Sequence, residues 1–301
     1  MRLEHQDMLY SLNAWQRLGS YHNTHGQQVF VIDSQNNKEK PPLLLLHGYP
    51  RSSWDYSLLF NKLAQHHRVI APDFLGFGFS SKPYPHKYSI IQQANIVEAI
   101  LAQKNIQHCY VMAHNYGDAV VLELLARQNT LQHKLILGTM FLGSSLYDDA
   151  QTPTLVQRAL STPLGPLFVR AMGKAVLMKS FSGLFGPHTK PTSQQLNTAW
   201  QLISHDAGVR CLPAVLSYFN ERNIYKDKWA NALKEADIPM ALLRGTADPV
   251  AHKKTINRFK SLQKPNSLTF ELPSIGHYPH IESPHETLNA WQYFVEQCTL
   301  D

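Results

Sequence analysis

The sequence predicts an α/β architecture, a mostly parallel sheet with helices on both faces. Short apolar runs alternate with amphipathic helical segments through the first half of the chain, a Pro- and Gly-punctuated helical stretch interrupts them, and the alternation then resumes to the C-terminus. Strand–helix–strand alternation needs crossovers that lay successive strands parallel and cover both faces of the sheet.

In order, "QVFVI", "LLLLH" and "RVIAPD" are strand-length apolar runs; a helix is expected over 89–104, then the strand "CYVMAH", a helix from Tyr116, and the strand "LILGTMFL". From Ser144 to Trp229 the strands vanish, and pieces such as "TPLGPLFVRAMGKAVLMKSFSGLFGP" and "SQQLNTAWQLISHD" are helical. "IPMALLRG", a helix over 252–262, "SLTFEL" and a last helix over 285–297 complete the pattern. The expected division is a core of 1–143 and 230–301 with a helical lid of 144–229. Such an insertion lies over the carboxyl ends of the strands, where open α/β sheets bind ligands. The chain shows no internal repeat and no low-complexity segment.

Composition narrows the function classes. The 301 residues are 44% hydrophobic and 17% charged, which fits a globular chain with a sizeable core. No run approaches the roughly 18 to 20 apolar residues of a membrane span, and "MRLEHQDMLY" lacks the apolar core of a secretory signal, so a cytoplasmic protein is expected. Cys109, Cys211 and Cys298 are far apart and odd in number, against a disulfide framework. The formal charge of +6 is scattered rather than striped, so no nucleic-acid partner is expected, and the 16 histidines will raise the charge as pH falls. We expect neither metal nor cofactor, and no oligomeric state is read.

The chemistry concentrates in three loops. "VMAHNYGDAV" has the shape of a nucleophile elbow: a strand, a small residue, a central residue forced up by a tight turn, and a helix, with Ala113 and Gly117 small enough to avoid a clash. The central residue is Asn115, and an amide is a very poor nucleophile; a plain strand-to-helix turn with an Asn cap would read the same. "LLLLHGYP" ends a strand in His-Gly, so that the backbone N–H of Tyr49 can join that of Tyr116 as an oxyanion hole. Asp248 in "LLRGTADPV" and His277 in "LPSIGHYPHIESP" follow in the order elbow, acid, histidine. His280 competes for the base role, but only His277 follows a glycine; an Asx-turn and a loop histidine are the plain readings of the pair.

On these residues the chain resembles the α/β-hydrolase superfamily from about Gly19 to Gln297. "HGYPRSSWDY", "DFLGFGFSSKPYPHKYSI" and "SIGHYPHIESP" are similar to the branch of epoxide hydrolases, haloalkane dehalogenases and mesoderm-specific transcript proteins, and most similar to the last over Arg68 to Glu98, "HNYGD" and "FGPHTKP". The resemblance implies an α/β-hydrolase fold with a cap and an Asp nucleophile that forms an ester, which a His-activated water then cleaves. Here Asn115 takes that place, so the chain as written is expected to bind substrate and hardly turn it over. Because acid, base and oxyanion hole all remain, an introduced Asp-to-Asn change is the favoured explanation and a natural pseudo-hydrolase the other.

The resemblance also bears on the substrate. A dehalogenase would carry Trp after the nucleophile and a second Asn or Trp donor; Tyr116 and Tyr49 stand there instead. Epoxide opening would use lid tyrosines as acids. Tyr218 falls where one is expected, with helix packing as its plain reading, and no Tyr occurs over Thr162 to Pro187, although Tyr147 precedes it. Phe168, Met172, Met178, Phe181, Phe185 and Trp200 suggest a small or medium apolar substrate, with Trp54 and His114 as further pocket residues. Ester or lactone hydrolysis, dehalogenation and a non-catalytic ligand-binding protein remain alternatives.

Overall fold

The computed structural model describes residues 10–36, 40–131, 134–147, 153–251, 253–262, 264 and 267–298. The expected lack of a secretory core therefore rests mostly on residues outside this set, as do residues 148–152 of the expected lid and His252 at the start of the penultimate helix.

Eight strands form one sheet: β1 (Gly19–Thr24), β2 (Gln27–Asp33), β3 (Leu43–Leu46), β4 (Val69–Pro72), β5 (Cys109–His114), β6 (Ile136–Leu142), β7 (Met240–Gly245) and β8 (Ser267–Leu272). Their spatial order is β1-β2-β4-β3-β5-β6-β7-β8. β1 pairs antiparallel with β2 and β2 with β4, and every other pairing is parallel. Seven strands coincide with the apolar runs. β1 was not anticipated: "GSYHNT" is polar and half-exposed, and it owes its place to a two-residue hairpin at His25 and Gly26, both at positive φ.

Helices cover both faces. α1 (Leu12–Leu18), α2 (Ser57–Ala64) and α14 (Pro284–Cys298) pack with Trp15, Phe60 and Trp291 on one side. α3 (Ile90–Gln103), α4 (Tyr116–Leu131) and α12 (Lys253–Lys260) lie on the other. α3 starts at Ser89, whose Oγ accepts the N–H of Gln92 at 3.0 Å, and it buries Ile90, Ala94, Val97 and Leu101 at helical spacing.

Between β6 and β7 the described residues form only helices: α5 (Leu155–Leu160), α6 (Gly165–Ala171), α7 (Lys174–Ser182), α8 (Ser193–Ser204), α9 (Leu212–Val215), α10 (Tyr218–Ile224) and α11 (Lys226–Glu235), with a 3₁₀ stretch after α8. The 229/230 boundary expected for the lid falls inside α11. That helix rides on α4: Lys228 Nζ and Trp229 Nε1 donate to the buried Glu123 carboxylate at 2.6 and 3.0 Å. The short α13 (Pro279–Glu282) precedes α14. Successive crossovers put β3 between β4 and β5, so strand order reverses at the β3/β5 pair, and the loops leaving these two strands frame the switch-point crevice.

Candidate active site

The elbow leaves β5 at His114 and enters α4 at Tyr116, with Asn115 at φ 51° and buried. A left-handed backbone at a non-glycine residue is strained and persists only where packing imposes it. Here β3 does so: a Cβ on Gly117 would lie 2.6 Å from the Leu46 carbonyl oxygen, so helix and strand approach closer than any side chain allows. Across the crevice, the position of a Cβ on Gly48 is 3.1 Å from Asn115 Cβ, which sets the "HGY" turn directly against the elbow side chain.

His47 fixes that turn. Its Nε2 accepts the Phe74 N–H at 3.0 Å, so the proton is on Nδ1, which donates to the Gly48 carbonyl at 3.0 Å. Burial holds this imidazole neutral, down at about 3. Among the described residues no hydrogen bond is made by the backbone N–H of Tyr49 or of Tyr116, and the Asn115 Oδ1 is buried without a partner.

His277 Nδ1 and Asp248 Oδ2 are 2.9 Å apart, both groups buried. The other Asp248 oxygen accepts the N–H of Val250 and Ala251 at 2.7 and 3.1 Å, which aims the carboxylate at the imidazole. His114 pairs in register with Leu142, so Asn115 lies beside Gly143; a Cβ there would be 3.3 Å from His277 Nδ1. His277 and Asn115 thus share the rim of β5 and β6.

His280, the competitor, is fully buried, stacks on Tyr56 at 5.0 Å and makes no hydrogen bond through either ring nitrogen among the described residues. It is His277, not His280, that meets Asp248.

The other pocket candidates separate. Tyr218, on α10, is buried with its ring 5.0 Å from that of Tyr116 and 6.5 Å from that of Tyr49. His114 is fully buried behind the elbow, where its Nε2–H donates to the His277 carbonyl at 2.9 Å, and burial pushes it well below the ordinary histidine value. It braces the base loop rather than facing a substrate. Trp54 is not brought to the site: its indole N–H donates to the Tyr10 carbonyl at 2.9 Å within the α1–α2 side of the core. Trp54 lies within the 3₁₀ turn Ser53–Tyr56, which places its indole on that side. Of the apolar lid residues, Phe181 and Phe185 reach the base loop, both 5.0 Å from Tyr278, whereas Phe168 is largely exposed.

Three residues were missed. Tyr278, directly after His277, is fully buried with its hydroxyl unpartnered among the described residues, and it lines a cavity of about 50 Å³ with Tyr49, Pro50, Leu177, Phe181 and Leu184. Glu282, in "HIESP", accepts the N–H of Gly276 and Gly186 at 2.8 Å and of Tyr278 at 3.0 Å, holding the base loop on both sides of His277 and tying it to the insertion. Arg51, in "HGYPR", is paired with Asp55 and lies 4.4 Å over the Phe181 ring. Nothing in their spacing marks them; only tertiary contact does. A larger groove of about 510 Å³ around Lys40, Leu63, Tyr110, Trp291 and Val295 lies where β3 and β5 begin, at the opposite end of these strands from Asn115.

The alpha/beta hydrolase fold family matches residues 41–284. The chain belongs to that family. This hydrolase-fold chain is 33% identical over 294 residues to the mesoderm-specific transcript protein of Mus musculus, covering 95% of the chain and 88% of the relative. It is 33% identical over 276 residues to LipZ of Mycobacterium tuberculosis, covering 91% and 94%. A haloalkane dehalogenase loop variant from Bradyrhizobium elkanii superposes with a TM-score of 0.75 at 19% identity, covering 94% of this chain and 99% of that one, a likeness of fold alone. Among the described residues no helix is long and apolar enough to cross a membrane.

Proposed function

We propose that this chain is a hydrolase scaffold for small or medium apolar electrophiles, of epoxide-hydrolase type, in which Asn115 occupies the place of an attacking aspartate. The observation that carries it is the buried Asp248–His277 pair at 2.9 Å, set beside an elbow residue held at φ 51°. Asp248 keeps the proton of His277 on Nδ1, which leaves Nε2 to take a proton from water; the Tyr49 and Tyr116 amides receive charge that develops on an oxygen at position 115. With an aspartate there, attack on carbon gives an ester that this water cleaves. With Asn115 the first step has no nucleophile, and substrate is bound without turnover. The small, mostly apolar cavity lined by Tyr49, Phe181 and Tyr278 supports a small apolar substrate, admitted when the insertion, acting as a lid over the site, moves.

The test is reversion. Asn115→Asp creates activity on small epoxides, and in a single turnover in heavy-oxygen water the label enters the restored carboxylate. No turnover of epoxides, haloalkanes or esters by that variant overturns the reading and leaves the second one, a non-catalytic ligand-binding protein, which Asn115 itself favours.

A further inference from the structure

We propose that Asn115 is a self-processing site: the His277–Asp248 pair activates a water that hydrolyses the Asn115 carboxamide, so that the chain as translated is the precursor of a form carrying the nucleophile. This rests on the hydrolase reading above, because it uses the second half of that reaction. There the water attacks the acyl carbon of residue 115, and a carboxamide places an acyl carbon of the same shape at the same point.

The surroundings fit an acyl transfer at that carbon. The Asn115 carbonyl oxygen is buried with no donor bonded to it, and the Tyr49 and Tyr116 amides are donors with no acceptor among the described residues. Gly48 brings the first of these turns against the Asn115 side chain. His277 is held by Asp248, and its carbonyl is braced by His114, the residue preceding Asn115.

The step balances without oxidant or metal. Water gives a proton to His277 Nε2 and its oxygen bonds to Cγ, and the electron pair of the carbonyl moves to its oxygen, which then turns to accept from the Tyr49 and Tyr116 amides. The C–N bond then breaks as the nitrogen takes the proton from His277, ammonia leaves, and the new carboxyl group loses its proton. Ammonia is a poorer leaving group than the alkoxide of an ester, so conversion is slow against turnover and completed once per chain.

Asn105 is an internal control: it also sits at positive φ, 54°, but is exposed, and among the described residues no Asp–His pair is bonded beside it. In heavy-oxygen water at neutral pH, peptide mass spectrometry should show position 115 becoming aspartate with one heavy oxygen, at least about 10² faster than Asn105, the acceleration a positioned general base supplies. Urea-unfolded chain should lose that excess, as should His277→Gln and Asp248→Asn variants that keep the unfolding midpoint. Epoxide turnover should rise in step with the converted fraction. An intact amide in folded protein, isoaspartate as the product, or an undiminished rate in His277→Gln overturns the proposal. The mass readout is independent of substrate, so an inactive Asn115→Asp variant alongside labelled conversion would sink the epoxide reading and leave this one standing.

Discussion

Tyr218 is the residue on which the proposed epoxide reading can be tested against ester chemistry, since its ring packs against the rings of Tyr116 and Tyr49, whose amides are the proposed oxyanion donors. On an Asn115→Asp background, Tyr218→Phe is expected to slow epoxide opening by roughly 2 to 3 orders of magnitude as a lost general acid. An activated ester, which needs only the oxyanion amides, should be nearly unaffected. Equal losses on both substrates would reduce Tyr218 to lid packing. Asp118, three residues after the elbow, carries a pH effect. Burial raises its carboxyl from 3.8 to about 8, with Ser144 and Arg222 opposing. The unfolded chain ionises this group near pH 4 while the fold keeps it protonated until about 8, so its contribution to stability is present at low pH and lost as pH climbs through that window. One pKa unit is worth about 1.4 kcal/mol. Asp118→Asn should therefore unfold at higher urea than the parent at pH 8, with an advantage that shrinks as pH falls and is lost by about pH 4.

Two elements hold the site. The elbow depends on the close approach of α4 to β3, so Gly117→Ala, whose new methyl meets the Leu46 carbonyl, should cost about 1 to 3 kcal/mol. A chemical-unfolding curve measures this; an unchanged midpoint would mean the helix slides freely along the strand. The base loop depends on Glu282, which neutralises three backbone donors that would otherwise be buried unpaired. Glu282→Ala should raise hydrogen exchange at Gly186, Gly276 and Tyr278 while β5 and β6 stay protected. Equal protection everywhere would show that the loop is held by packing alone.

Across the whole molecule, the insertion and the sheet share one core: Val169, Phe181, Leu212 and Val215 belong to the same apolar cluster as Leu44, Val111 and Leu242. Near- and far-ultraviolet dichroism should therefore report a single, coincident unfolding transition. Acid should be destabilising. His47, His114 and His280 are buried and held below the ordinary 6.5, the first at about 3. Below pH 6.5 the unfolded chain takes up protons there that the fold refuses, at about 1.4 kcal/mol per pH unit for each proton. Asp118 works the other way, but one group cannot offset three. The urea midpoint should fall between pH 7 and pH 5, and a rise would mean these imidazoles are not the controlling groups.

The strand and helix alternation, the elbow and the order Asn115, Asp248, His277 were legible in the sequence. Periodicity follows from which faces are buried, and a tight strand-to-helix turn needs small neighbours wherever it sits. The β1 hairpin was not legible because its residues are polar and only the turn and its partner strand place them. The expected boundary at 229/230 falls within α11, where Lys228 and Trp229 reach Glu123 across about a hundred residues of chain, a contact with no local signature. Trp54 had the right residue type for a pocket wall and lies elsewhere because its turn carries it to the other face. Where Tyr278 points and what Glu282 ties together were decided only by the fold. Loop side chains gain a direction from the elements they are pinned between, and those partners lie far away in the sequence.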